Sequence, residues 1–220
     1  MVFAGASFVQ AQAPEMVMTW KARTNVPSWY QGKAQVVQGS TVDVGVELVG
    51  TNTGEAGKLL DISSREIRWY VDGNLVARGV GEKTLAVYNN KPEGSDIDVR
   101  ASVEYRDKSD GSVYFVDQYL TIPVRGPELV FKSFKNGNVL LAGASFIMRA
   151  IPFFFSVPDS DLQVSWSVAD QTPEIQADPL QLQVQLEQDI PVGGFNVSVS
   201  ASNPQQSSQR ATVSQLFYIQ

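Results

Sequence analysis

Apolar and polar residues alternate with a period of two through nearly the whole chain, and no segment carries a convincing 3.6-residue period. Val42, Val44, Val46 and Leu48 alternate with Thr41, Asp43, Gly45 and Glu47; Ile67, Trp69 and Val71 with Arg68, Tyr70 and Asp72. Ile97, Val99, Ala101, Val103 and Tyr105 form a third such row. Further along, Leu162, Val164, Trp166 and Val168, then Leu180, Leu182, Val184 and Leu186, then Phe195, Val197, Val199 and Ala201 continue the pattern, and Ala211 to Ile219 closes the chain. Strands of this kind lay one face on a core and leave the other wet, which is how antiparallel sheets behave. The expectation is an all-β fold.

The halves repeat. Pro14-Glu15-Met16-Val17 matches Pro127-Glu128-Leu129-Val130, Trp69 matches Trp166 (166 − 69 = 97), and Val99 to Val103 matches Val197 to Ala201. Each copy has the size of an immunoglobulin-like sandwich, about 100 residues. The pattern therefore predicts two tandem immunoglobulin-like β-sandwiches, residues 14–125 and 126–220. A stiff joint, Pro123-Val124-Arg125-Gly126-Pro127, links them. Asp72-Gly73-Asn74 reads as a hairpin turn after the first tryptophan strand.

Composition narrows function. Among 220 residues there is no histidine and no cysteine, which removes disulfides, thiol nucleophiles, histidine-based triads and zinc or iron sites built on imidazole or sulfur. Seventeen basic against 23 acidic side chains give a net charge of −6. The chain lacks the basic stripe that nucleic acid requires.

Val2 to Val9 is a short apolar run followed by Gln10-Ala11-Gln12-Ala13, similar to the apolar core and small-residue cleavage site of a secretory signal. Residues 1–13 are read as such a signal with its basic front missing, the alternatives being a disordered tail or a strand donated to a neighbouring subunit. Val139 to Val157 approaches the length of a membrane span. Arg149 and Pro152 lie inside it, and Phe146, Met148 and Ala150 alternate with Ile147 and Arg149, so it reads as a strand and the start of a loop.

In the second half, VSWSVADQ at 164–171 and GGFNVSVSASN at 193–203 resemble the polycystic-kidney-disease-type repeat, a cysteine-free immunoglobulin-like sandwich of bacterial surface proteins. Trp20 with Pro27-Ser28-Trp29-Tyr30-Gln31-Gly32-Lys33, Pro127 to Val130, and Ala150-Ile151-Pro152-Phe153-Phe154-Phe155 together resemble motifs of uncharacterised exported two-domain proteins from small-genome candidate-phylum bacteria. That resemblance implies a secreted or surface protein, some members lying near pilus genes, and supplies no chemistry.

Four residues stand out as candidate partner contacts: Trp29 and Tyr30, in a Pro- and Gly-bounded loop, and Phe153 and Phe154, where alternation is expected to send at least one phenylalanine outward. The same rings also suit a plug over an open end of a sandwich. Asp107 with Asp110, and Asp159 with Asp161, offer paired carboxylates without the ligand string that calcium needs, and turn formation accounts for both. Asp96 and Asp98 sit on one strand face, not across a cleft. No catalytic residue, cofactor or metal is expected. The sequence favours a non-enzymatic exported structural or adhesive protein that meets a protein partner or neighbouring subunits, at a cell surface or in a pilus-like filament. A carbohydrate-binding module is the alternative, and it requires Trp29 and Tyr30 in a flat exposed platform.

Overall fold

The computed structural model describes residues 14–51, 56–106, 111–133, 137–174 and 177–220. Residues 1–13 and the Asp107–Asp110 pair lie outside these. The first eight strands are β1 (Glu15–Ala22), β2 (Val36–Val37), β3 (Thr41–Val49), β4 (Leu59–Leu60), β5 (Glu66–Val71), β6 (Asn74–Val80), β7 (Thr84–Tyr88) and β8 (Asp96–Arg106). They are followed by β9 (Val113–Arg125), β10 (Glu128–Ser133), β11 (Val139–Leu140), β12 (Ser145–Phe153), β13 (Gln163–Val168), β14 (Gln181–Gln185), β15 (Gly193–Asn203) and β16 (Gln206–Ile219). One 3-10 turn, Asp159–Asp161, is the helical content of the described residues.

The strands form four sheets on one plan used twice. β1 pairs β3, which also pairs β4 and β7, and the companion sheet runs β2-β9-β8-β5-β6. In the second copy the sheets are β10-β12-β14 and β11-β16-β15-β13. In each, the short second strand runs parallel to the last one: Val36 sits beside Val124, and Val139 beside Tyr218. The chain is thus an all-β protein of two cysteine-free immunoglobulin-like sandwiches.

The repeat extends to individual hydrogen bonds. Trp69 lies on β5 opposite Ala101 of β8, and Trp166 lies on β13 opposite Val199 of β15. Trp69 Nε1 donates to the Glu82 carbonyl and Trp166 Nε1 to the Pro179 carbonyl, each at 2.8 Å and each two residues before the next long strand of its copy. A buried indole N–H needs such an acceptor. Each tryptophan strand ends in a turn with two left-handed residues, Asp72 (φ 51°) and Gly73 (φ 79°) in the first copy, Ala169 (φ 47°) and Asp170 (φ 64°) in the second. Positive φ at both central positions is what a two-residue hairpin of matching twist requires. The first turn leads into β6; the second copy continues from Asp170 without a strand there.

Contacts divide the described chain into two compact units. Unit 1 comprises the described residues of Met1–Trp20, Asp43–Val87 and Ile97–Ile122; unit 2 comprises those of Lys21–Val42, Tyr88–Asp96 and Pro123–Gln220. In unit 1, Val44, Val46 and Leu48 of β3, Ile67 and Trp69 of β5, and Val99, Ala101 and Val103 of β8 are buried. In unit 2, Phe146, Met148 and Ala150 of β12 and Leu182 of β14 pack with Val197 and Val199 of β15 and with Phe217 and Ile219 of β16. Phe217 is the hub, its ring 5.9–6.0 Å from those of Phe131, Phe146 and Phe195. With no disulfide, cohesion rests on this packing, about 1.5–3 kcal/mol for each large side chain withdrawn from water.

Val139 to Val157 forms β11, a turn and β12, with Arg149 on the outward phase. Among the described residues no helix is long and apolar enough to cross a membrane.

The closing strand begins at Gln206, five residues earlier than the apolar alternation indicates. A tight hairpin at Asn203–Gln206, held by the Gln205 amide on Asn203 Oδ1 (2.9 Å), carries the ladder into a polar stretch. That extension places Gln209, with no exposed surface, in the interior of unit 2. Gln209 Nε2 donates to the Gln38 carbonyl (2.8 Å) and to Ser156 Oγ (2.9 Å); its Oε1 accepts from the Ser156 amide (2.9 Å) and from Asn203 Nδ2 (3.0 Å). Close by, Asn89 Nδ2 donates to the Val37 carbonyl (3.0 Å), and Gly39, at φ +81°, leaves room for the Gln206 side chain, which a Cβ there would meet at 2.6 Å. Among the described residues every buried side-chain nitrogen or oxygen has a partner, as buried polar groups require.

Candidate functional site

All four candidate partner contacts fall in unit 2, because residues 21–42 belong to it. The loop from Arg23 to Gln35 is tied to the end of β12. The Phe154 amide donates to the Asn25 carbonyl (2.7 Å) and the Asn25 amide to the Phe155 carbonyl (2.6 Å). Asn25 Nδ2 reaches Asp159 Oδ1 (2.6 Å), and Thr24 Oγ1 closes the loop's base on the Gln35 carbonyl (2.9 Å). At the tip, the Tyr30 amide turns back to the Pro27 carbonyl (2.9 Å). Gly32 is required beside it, since a Cβ would run into the Tyr30 ring and hydroxyl.

Trp29 and Tyr30 meet the phenylalanine rings edge to face, and the two phenylalanines are tilted against each other. Trp29 stands 5.9 Å from Phe153 at 78°, Tyr30 stands 5.4 Å from Phe153 and 5.8 Å from Phe154, and Phe153 and Phe154 are 5.8 Å apart. Val37, Val26 and Ile151 complete the cluster. The sequence thus singled out residues that the fold does assemble, but their exposure differs from expectation. No phenylalanine of the run turns outward: Phe153, Phe154 and Phe155 are 6%, 4% and 1% exposed. The reason is local. Phe153 keeps the outward phase of Ile151 and Arg149 but is covered by the Trp29 and Tyr30 rings, and Phe154, at φ +67°, breaks the two-residue period beyond it. Such a conformation costs an ordinary residue of order 1–3 kcal/mol; the amide pairs with Asn25 and the ring packing offset it. Tyr30 is half-buried. Trp29, 62% exposed, is the ring that faces solvent.

Beside Trp29 lies a groove of about 420 Å³ between the loop and the outward face of the β10–β12 ladder. Its floor carries Ile151 and Pro152, and its far end carries Lys132, Arg149 and Asp159. Lys132 and Arg149 are direct cross-strand partners, as are Val130 and Ile151 one step on. Burial pushes the Asp159 carboxyl above its ordinary value, opposed by the Asn25 hydrogen bond and by the charge of Arg149. Lys132 escapes a reading of the sequence by motif, and Arg149 enters it only as an obstacle to a membrane span. Alternation in both strands is the signal that marks them, since it sets both side chains on the solvent phase.

The acidic pairs do not converge. Asp159 and Asp161 belong to the 3-10 turn, where Asp161 Oδ1 accepts from Ser160 and Asp159 from Asn25. On β8, the Asp98 carboxylate takes the Thr121 hydroxyl (2.8 Å). Among the described residues no group of three or more histidine, cysteine or acidic side chains gathers to hold a metal.

No protein-family model matches the chain, and no curated protein matches it in sequence. Among solved structures it is similar to the three N-terminal domains of the highly immunogenic outer capsid protein (Hoc) of bacteriophage RB49, with 13% identity and a TM-score of 0.46 over 94% of this chain; it spans 59% of the phage chain. It is also similar to the fibronectin(III)-like modules of Clostridium thermocellum CbhA (13% identity, TM-score 0.29, 92% of this chain and 93% of that one). A third similar structure is the amphioxus IgVJ-C2 molecule (11% identity, TM-score 0.31, 72% and 89%).

Proposed function

We propose that this protein is a non-enzymatic contact module: an exported, two-domain structural or adhesive element that meets a protein partner through the Trp29 loop at a cell surface or in an extracellular filament. The carrying observation is Trp29 itself. A large ring left 62% exposed on a loop fixed by five backbone and side-chain hydrogen bonds and by the buried Phe153–Phe154 cluster is preorganised, and tryptophan is among the residues most enriched in binding hot spots. Preorganisation lowers the entropy cost of association. Signal-like residues 1–13 and the motifs shared with exported two-domain bacterial proteins support the cellular setting.

The test compares the purified chain with Trp29→Ala on an extracellular-protein array and a glycan array. Trp29 makes only edge contacts with the cluster, so the variant should keep its melting temperature within about 2 °C while losing at least about tenfold in affinity for the protein ligand, as a hot-spot anchor does. Glycan hits without protein hits would replace the reading with the carbohydrate-binding one, and Trp29-independent protein hits would remove Trp29 from it. Export is tested separately by fractionation: a cytoplasmic protein that keeps residues 1–13 refutes it.

A further inference from the structure

Among the described residues β6 is the outer strand of the sheet β2-β9-β8-β5-β6. The Gly81 amide donates to the Arg65 carbonyl (2.9 Å), just past the end of the β5–β6 ladder. Hydrogen-bonded and non-bonded pairs alternate along an antiparallel ladder, so Ile67–Gly79 and Trp69–Ala77 are hydrogen-bonded pairs, whereas Glu66–Val80 and Arg68–Arg78 are not. The amides and carbonyls of Arg78 and Val80 therefore point away from β5, along the outer edge. Trp69 faces Ala77 and Tyr70 faces Leu75, so Val76 is a bulge and Ala77 to Val80 is the regular stretch. Edges are blunted by proline, by charge or by a covering segment. This stretch has no proline, its Val80 is 67% exposed, and its one charge, Arg78, is drawn back over β5 to Glu66 (2.8 Å).

We propose that β6 pairs antiparallel with β6 of a second copy of this chain, about a two-fold axis at Gly79. An occupant of this edge must be extended and must bring outward backbone groups of its own, which a second β6 does. Outward groups must meet outward groups, so the axis falls on a residue. At Ala77 the pairing runs into the bulge; at Arg78 it sets the two guanidinium groups against each other, and like charges directly opposed destabilise a sheet. At Val80 it runs into Gly81, whose φ of +74° ends the strand. At Gly79 each Arg78 exchanges both backbone hydrogen bonds with the second copy's Val80, and its methylene stem covers that exposed valine. The two glycines then face each other in the close, non-bonded position, where no side chain stands in the way. Charge permits the approach: Glu66 to Val80 carries two acidic and two basic residues, a neutral hairpin in a chain of net charge −6. Such an isologous contact uses the same edge of both copies and closes on itself, giving a dimer and not a filament.

The experiment is sedimentation velocity on the whole chain, from about 5 µM to about 1 mM. An edge contact this small belongs with the weak interfaces, so the expected result is a monomer–dimer equilibrium with a dissociation constant on the order of 0.1 mM. Amide hydrogen exchange supplies a readout that needs no variant: exchange at Arg78 and Val80 should slow as concentration rises. Val80→Lys sets an ammonium against the second copy's Arg78 at both ends of the pairing and should weaken the dimer at least about tenfold. Val80 is exposed, so the melting temperature of the dilute variant should match the parent's. Adding Arg78→Glu to Val80→Lys places acid opposite base between the copies. Within one copy the new acid then lies opposite Arg68 and the new base opposite Glu66, so the fold keeps its charge pairs. The dimer should return to parental strength and become more sensitive to salt. A chain that stays monomeric throughout, a dimer indifferent to Val80→Lys, no recovery in the double variant, or growth beyond the dimer would each overturn the proposal. The Trp29 reading is scored on ligand affinity and stands or falls separately.

Discussion

Replacing Gln209 with leucine isolates what a buried polar network contributes to a sandwich that has no disulfide. Leucine is close to glutamine in volume, so the cavity term is small and the loss is one of hydrogen bonds. The Gln38 carbonyl and the Ser156 amide lose the Gln209 partners recorded for them at 2.8 and 2.9 Å, while Asn203 Nδ2 keeps Ser156 Oγ at 3.2 Å. Two part-buried backbone groups left unsatisfied, at about 1–3 kcal/mol each, put the loss at up to about 4 kcal/mol. That is a large part of the roughly 5–15 kcal/mol that holds a domain together. In urea, with a slope of about 2 kcal/mol per molar, the midpoint of the transition that reports on unit 2 should fall by about 2 M. Hydrogen exchange supplies the local readout, since the Ser156 amide loses its acceptor and peptides from β12, β15 and β16 should lose protection with it. A midpoint within about 0.3 M of the parent, with the Ser156 amide still protected, would refute the reasoning and mean that neighbouring groups or water replace the amide without loss.

Two further outcomes follow from the same geometry. Trp69→Phe and Trp166→Phe each remove an indole N–H from a carbonyl at 2.8 Å, so thermal or urea unfolding should show losses of similar size, about 2–4 kcal/mol once the smaller ring is included; a loss in one variant but not the other would break the equivalence of the repeats. Asp159, whose folded carboxyl is raised by burial, binds protons more readily folded than unfolded, so its contribution to stability declines as pH rises from the ordinary aspartate value through the raised one. Asp159→Asn retains the oxygen that Asn25 bonds and should flatten that decline, measured as melting temperature between pH 3 and 7; an unchanged slope would show that another group titrates there.

Much of the fold is legible in the residues because most buried rows obey the two-residue period, from Val42–Leu48 to Phe217–Ile219, and because the second copy carries a matching tryptophan 97 residues after the first. The turn at Asp72-Gly73 is written in its residues, whereas Ala169-Asp170 adopts the same conformation without a glycine and could be found only by alignment with the first copy. Trp29, Tyr30, Phe153 and Phe154 are visible as aromatics, but which of them faces solvent depends on the Trp29 loop covering the outward phase of β12 and on the left-handed Phe154, and neither is announced by the strings themselves. Gln209 lies in a run of Ser and Gln that composition alone assigns to the surface; counting back in twos from Ile219 and Phe217 places it on the inward phase. The Lys132–Arg149 pairing depends on strand register, which side-chain pattern constrains only together with the neighbouring strand.

The hydrogen bond between Asn25 and Asp159 joins residues 134 positions apart, and the backbone pairs of Asn25 with Phe154 and Phe155 span nearly as much chain. Closing loops of that length is slow compared with local pairing. The Trp29 loop consequently has no template while the chain is being synthesised, and its aromatic edge takes shape only after β12 has arrived. The shape of the loop is thus a late event in the life of the polypeptide: a truncated or stalled chain that ends before Phe155 would lack the far half of the scaffold on which Trp29 is displayed.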